Sequence, residues 1–231
     1  PSPEVEQMYK QARDYLSAGD LQQAIVTYQQ TIRLAPDQLV LFRDLGKAYY
    51  LAGDYKNAQN TLEQLLKSDQ ADPLSFQVMA ACQTAAGEKK KAKATLQRGL
   101  DRFPNSGILY HDMGKAYEED NEMVYALQTW LDGIHKDPAY HVNYYEAARV
   151  YLNSNKPIWG ILYGEMFVNI ERQTPRAEEI KGMLFNAYKK LFTSVETGDI
   201  PKFGSTRKDK KANNFEQAVY ATYMNLAPVV S

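Results

Sequence analysis

The chain has 231 residues, with 27 Lys and Arg against 28 Asp and Glu and a formal net charge of −1. That balance leaves no global field for nucleic acid or an anionic membrane, and no nucleic-acid-binding motif is present. A lone cysteine, Cys82, excludes an internal disulfide, and the most apolar run, 157–170, is too short to span a bilayer and contains Glu165.

The chain starts at Pro1 without an initiator methionine, read as a trimmed tag or a removed leader. Residues 1–4 form a short lead-in. In 5–38, Met8, Ala12, Tyr15 and Leu16 make one apolar stripe at helical spacing. Ala24, Ile25, Tyr28 and Ile32 make a second, with Gly19 between the two and Pro36 after them. Segment 39–72 repeats this order through LGKAYYLAGDYKNA.

Segment 73–106 carries GEKKKAK; its Lys89, Lys90, Lys91 and Lys93 read as the solvated start of an outer helix rather than a seat for phosphate. Cys82 falls on an apolar helix there and reads as a buried, inert thiol. In 107–140 the landmarks are Tyr110, Met113, Gly114, Tyr117, Asn121, Ala126, Trp130, Ile134 and Pro138. The acidic Glu118, Glu119 and Asp120 before its turn read as solvated.

Segment 141–174 departs in its second helix, PIWGILYGEMFVNIER. Each helical glycine costs about 1 kcal/mol against alanine, so Gly160 and Gly164 predict tight packing against the next helix. Residues 175–231 hold a long amphipathic helix over 177–195, a loop over 196–214 and a final helix from Phe215 to Leu226. Asn213 and Glu216 make a capping box. The loop's Lys202, Arg207, Lys208, Lys210 and Lys211 read as a solvated cluster. This is a capping hairpin with an expanded turn.

The landmarks recur 34 residues apart. Small residues stand at Ala12, Gly46, Ala80, Gly114 and Ala148, and three places on come Tyr15, Tyr49, Gln83, Tyr117 and Tyr151. Turn residues follow at Gly19, Gly53, Gly87, Asn121 and Asn155, then Ala24, Ala58, Ala92, Ala126 and Gly160. Prolines close three segments at Pro36, Pro104 and Pro138, with Gln70 and Arg172 departing. This pattern resembles the tetratricopeptide repeat (TPR). The resemblance covers 5–174 as five hairpins: 5–38, 39–72, 73–106, 107–140 and 141–174. It implies an all-α protein of about twelve helices, a right-handed TPR superhelix (α-solenoid) of five repeats with 175–231 as cap. First helices are expected to line the inner surface.

The chemistry-bearing motifs are missing. His111, His135 and His141 form no ligand set, and no nucleophile elbow or phosphate loop occurs, so no metal, cofactor or enzymatic activity is expected. The family's clamp for chaperone tails needs Lys and Asn, then Asn, then Lys and Arg on successive first helices. The matching positions hold Tyr9 and Arg13, then Asp44, then Leu74 and Val78. One repeat on they hold Arg43 and Lys47, Val78, then Ile108 and Asp112, so the clamp is missing in either frame.

The resemblance implies a non-catalytic module that binds a partner peptide in its concave groove. After each small landmark stand Arg13, Lys47, Ala81, Lys115 and Arg149; four places earlier stand Tyr9, Arg43, Gln77, His111 and Tyr145. With Tyr50, these predict a basic line flanked by aromatics: Tyr9, Arg13, Arg43, Lys47, Tyr50, Gln77, His111, Lys115, Tyr145 and Arg149. The expected ligand is an extended acidic segment, partly aromatic or aliphatic, of another protein. Two alternatives stay open: an assembly element packing through the solenoid edges, with a homo-oligomer as one form, or a regulatory subunit of a larger envelope complex. The stretch LYGEMFVNIERQTPRAEEIKGML is similar to exported bacterial TPR proteins, which favours an exported or periplasmic location over a cytoplasmic one.

Overall fold

A computed structural model describes residues 2–154, 156–196, 218–219 and 221–222. Among them every regular element is an α-helix. The chain divides into two compact units, Pro1–Glu122 and Met123–Ser231.

The first unit contains α1 (Pro3–Ala18), α2 (Leu21–Leu34), α3 (Val40–Leu51), α4 (Tyr55–Lys67), α5 (Pro73–Ala85), α6 (Lys89–Arg102) and α7 (Gly107–Glu119). Side chains begin several of these helices. Ser2, Asp20, Asp54 and Asp72 accept hydrogen bonds from backbone N–H groups three residues on, satisfying donors that a helix start leaves orphaned. Gly19, Gly53 and Gly87 adopt φ of 77–79°, and Asn121 adopts 61°. These are the turn landmarks, in the left-handed region that glycine enters freely and asparagine tolerates.

Consecutive helices of this unit pack on one another, and the first helices α3, α5 and α7 also touch in succession. The small landmarks Ala12, Ala24, Ala58, Ala80 and Ala92 are at most 4 % exposed. A Cβ on Gly46 would stand 2.7 Å from Leu62 Cγ, so any larger residue would have to displace the buried Leu62 side chain for α3 and α4 to close this far. Gln83 takes the place of an aromatic landmark; its buried Oε1 accepts a 2.8 Å hydrogen bond from Thr95 of α6, so a polar pair fills the gap. Gln70, which departs from the closing proline, joins the segments instead: its amide donates to Asp37 O at 2.9 Å and accepts from Leu39 N at 3.0 Å.

The lysines of α6 and the acids ending α7 are partly exposed, as expected of solvated groups, and the structure also pairs them. Lys93 Nζ lies 2.6 Å from Asp120 and 3.3 Å from Glu122, and Lys89 Nζ is 3.6 Å from Glu119. Cations at a helix start and anions at a helix end each oppose the helix dipole; set side by side they neutralise one another.

The second unit contains α8 (Met123–Lys136), α9 (Val142–Leu152), α10 (Pro157–Ile170) and α11 (Pro175–Glu196). Its core joins Tyr144, Ala148, Ile158, Ile161 and Phe167 to Ala177, Ile180, Leu184 and Leu191 of α11, with Val219 packed against them. Helix α11 thus covers α10. The two glycines of α10 do not share a neighbour, contrary to the expectation from their spacing. A Cβ on Gly160 would meet the backbone N of Leu152 in the preceding helix at 2.6 Å, whereas one on Gly164 would meet Leu184 Cδ2 at 3.0 Å. Rotation of about 40° between positions four apart aims one at α9 and the other at α11. Loop residues 197–214 and the capping box of the final helix lie outside the described residues, which hold only four helical positions of that helix.

Candidate functional site

A groove of about 820 Å³ runs along the first helices of the first unit, a size usual for ligand sites. From α1 come Tyr9, Arg13 and Leu16, from α3 Arg43, Asp44, Lys47, Tyr50 and Leu51. Helix α5 gives Leu74, Gln77, Val78 and Ala81; α7 gives Asp112, Lys115 and Glu119; Tyr28 of α2 and Leu96 of α6 complete the floor.

Seven of the ten residues expected in a groove line this one: Tyr9, Arg13, Arg43, Lys47, Tyr50, Gln77 and Lys115. His111 does not line it; its ring Nδ1 sits 2.9 Å from Asp112 Oδ1. Tyr145 and Arg149 belong to the second unit. There the Tyr145 hydroxyl donates to Glu179 at 2.8 Å, and Arg149 Nη2 donates to the buried Glu146 at 2.8 Å.

A continuous basic line is not what the groove presents. Asp44, Asp112 and Glu119 stand among its four cations. Arg43 donates from Nε to Asp44 at 3.1 Å and from Nη1 to Asp72, the N-cap of α5. Lys115 pairs with Glu118. Arg13 is exposed and rests over the Tyr9 ring, 5.8 Å from its centroid. Lys47 is exposed and has no carboxylate within ion-pair distance among the described residues.

The corner between α1 and α3 is the most closely built part. The Tyr9 hydroxyl donates to Asp44 Oδ2 at 2.6 Å, and its ring lies 6.2 Å from that of Tyr28. Burial, then the hydrogen bond to Asp44, push the Tyr9 phenol up to about 12. Tyr28 is fully buried, and its hydroxyl has no hydrogen-bond partner among the described residues. Burial, with the nearby Asp44 charge, raises its phenol well above the ordinary tyrosine range. Towards α5 the lining turns apolar: Leu51 and Leu74 are 49 % and 43 % exposed, beside Val78 and Ala81.

The periodic reading overlooked Asp44, Tyr28, Leu51, Leu74 and Val78 as lining residues. A signal for three of them was present: Tyr9, Arg13, Asp44, Leu74 and Val78 occupy the family's clamp positions, and all five line the groove. Tyr28 comes from a second helix, where that comparison does not look. Among the described residues no cluster of three His, Cys, Asp or Glu is placed to hold a metal, and no helix is long and apolar enough to cross a membrane. Cys82 is fully buried, and burial pushes its thiol up to about 12.

Helical hairpins stacked on small-residue crossings, with a groove along their first helices, define a helical-repeat protein of the α-solenoid class. Two tetratricopeptide-repeat profiles match the chain, over residues 15–82 and 78–106. Residues 15–106 thus carry tetratricopeptide repeats. Solved structures share its fold. The pilF protein of Pseudomonas aeruginosa aligns with a TM-score of 0.62 at 13% identity, over 82% of this chain and 90% of its own. TTC0263, a thermophilic TPR protein of Thermus thermophilus, aligns with a TM-score of 0.60 at 12% identity, over 80% and 99%. MamA from Desulfovibrio magneticus aligns with a TM-score of 0.54 at 15% identity, over 75% and 98%. No curated protein sequence matches the chain.

Proposed function

We propose that this protein is a non-catalytic interaction module that holds an extended segment of another protein in the groove of its first unit. The observation that carries the reading is the lining itself. Exposed Leu51 and Leu74 beside Lys47, which has no ion-pair partner among the described residues, make an amphipathic surface that a folded core has no use for. Stacked helical repeats generally bind rather than catalyse, and they do so through such surfaces. Exposed ion pairs contribute roughly 0.2–1 kcal/mol each against an association cost of about 4 kcal/mol or more, so apolar contact has to supply most of the affinity. The ligand is therefore a segment with aliphatic or aromatic side chains as well as acidic ones.

Site-specific photocrosslinking in the source cells tests this. A crosslinker at Ala85, exposed and in the groove, is expected to trap a partner peptide; one at Ala94, exposed on the second helix α6, is not. Equal trapping at both positions, or trapping at Ala94 alone, rejects the groove.

A second reading, assembly through other surfaces, draws on the apolar side chains that the second unit exposes: Val124 at 81 %, Phe185 at 69 % and Ile170 at 54 %. Light scattering on the whole chain distinguishes it, since a monomer at all concentrations removes self-assembly. An exported location remains our proposal, checked by fractionation of the source cells.

A further inference from the structure

The Tyr28 hydroxyl is an orphan at the floor of the groove. It is fully buried, lines the site and has no hydrogen-bond partner among the described residues. Buried polar groups are nearly always paired, because an unmade hydrogen bond leaves the full desolvation cost standing. In the same groove Arg13 lies over the face of the Tyr9 ring, and neither Arg13 nor Lys47 has a carboxylate within ion-pair distance among the described residues. The neighbouring Arg43, by contrast, is neutralised by Asp44 and Asp72. One donor and two cations thus line the groove between α1 and α3, around an Asp44 already held by Tyr9 and Arg43, while the lining towards α5 is aliphatic.

We infer that this corner is a seat for a single carboxylate of the bound segment, held by Arg13, Lys47 and the Tyr28 hydroxyl. The inference rests on the groove reading above and adds the chemistry of its ligand. The entering carboxylate draws Arg13 off the Tyr9 ring and opens the way to Tyr28. An aliphatic side chain next along the segment lies on Leu51, Leu74 and Val78. The carboxylate comes from an Asp or Glu side chain or from a chain terminus; both present the same two oxygens. Asp44 sets the specificity by its charge. It accepts from Tyr9 and Arg43 and leaves no room for a second anion, so the seat takes one carboxylate where the family's clamp takes two.

The test selects binders to the immobilised whole chain from a random peptide library with free C-termini, then remakes one as a synthetic labelled peptide. The expected binders pair one carboxylate with Leu, Ile or Phe. Replacing their acid by its amide, or amidating the C-terminus, tells which carboxylate is seated. Arg13→Glu with Lys47→Glu is expected to weaken binding about tenfold or more, and Tyr28→Phe by about tenfold. Tyr28→Phe is also expected to raise the thermal midpoint of the free protein, because it removes an unpaired buried hydroxyl. A merely structural Tyr28 would not move the two readouts in opposite directions. Binders that are neutral or basic, blocked by Leu74→Arg but indifferent to Arg13 and Lys47, overturn the carboxylate seat and leave the groove standing. No selected peptide, or binding indifferent to Leu74→Arg, overturns the groove as well.

Discussion

The Tyr9 hydroxyl donates a 2.6 Å hydrogen bond to Asp44 Oδ2, tying α1 to α3 across two successive hairpins. A side chain that periodicity offers as ligand-binding surface is thereby part of the scaffold, and Asp44 is held between Tyr9 and Arg43. A hydrogen bond to a charged group contributes about 1.5–3 kcal/mol, and the partly exposed position of this one points to the lower end. Tyr9→Phe is expected to lower the urea midpoint of the whole chain by the equivalent of about 1.5 kcal/mol. An unchanged midpoint would show that the bond adds nothing in water.

Alkaline pH should weaken the fold through the same phenols. Tyr9 and Tyr145 are each pushed up to about 12, by burial first and then by hydrogen bonds to Asp44 and Glu179. Unfolded tyrosine ionises near 10. The folded values being the higher, the stabilisation is complete below about pH 10 and is lost as pH rises towards 12. Denaturant titrations across that window should show stability falling, with a shallower slope in Tyr9→Phe and in Tyr145→Phe. Equal slopes in the wild type and both variants would contradict it.

Three helical glycines of the second unit should respond differently to alanine. At Gly160 the new Cβ would lie 2.6 Å from a backbone nitrogen, which cannot step aside cheaply; a net loss of about 1–3 kcal/mol is expected. Gly164→Ala meets the end of the Leu184 side chain at 3.0 Å, which can turn, and should cost far less. Gly182 has nothing within 4 Å and is exposed on α11, so alanine there should stabilise by roughly 0.5–1 kcal/mol. Thermal melts of the three single variants give the order directly, and Gly160→Ala melting at or above wild type would refute the close approach of α10 to α9.

Acid should act through Glu171, whose side chain is only 10 % exposed. His141 Nε2 lies 2.7 Å from Oε2, Arg176 Nη2 donates to Oε2 at 3.0 Å, and Thr174 donates to Oε1. Burial opposes the charge, but the hydrogen bonds from Thr174 and Arg176 outweigh it and hold the carboxyl below its ordinary 4.5. A depressed folded value means stability present above about 4.5 and lost as pH falls through that folded value. Glu171→Gln is expected to cost about 1–2 kcal/mol at neutral pH and to flatten this acid limb. A variant with the wild-type acid limb would remove Glu171 as its source.

By itself the sequence determined what is local and periodic. Helical faces and left-handed turns at Gly19, Gly53, Gly87 and Asn121 depend on residues a few places apart, so spacing alone reveals them. Ala12, Ala24, Ala58, Ala80 and Ala92 are buried for the same reason: a small residue at every crossing is what a close-packed hairpin needs. Only the tertiary structure decided who meets whom between hairpins. A lysine on a helix surface looks alike whether it faces water or an acid, and the 34-residue period does not say which residues of two neighbouring turns are brought together. Hence Lys93 on Asp120, Gln70 across Asp37 and Leu39, Tyr9 on Asp44 and Gly160 under Leu152 emerged only from packing. The groove divides the same way. Its cations and aromatics stood out by their period, but their charge depends on partners such as Asp44, Asp72 and Glu118, and the unpaired Tyr28 hydroxyl beneath them follows no repeat.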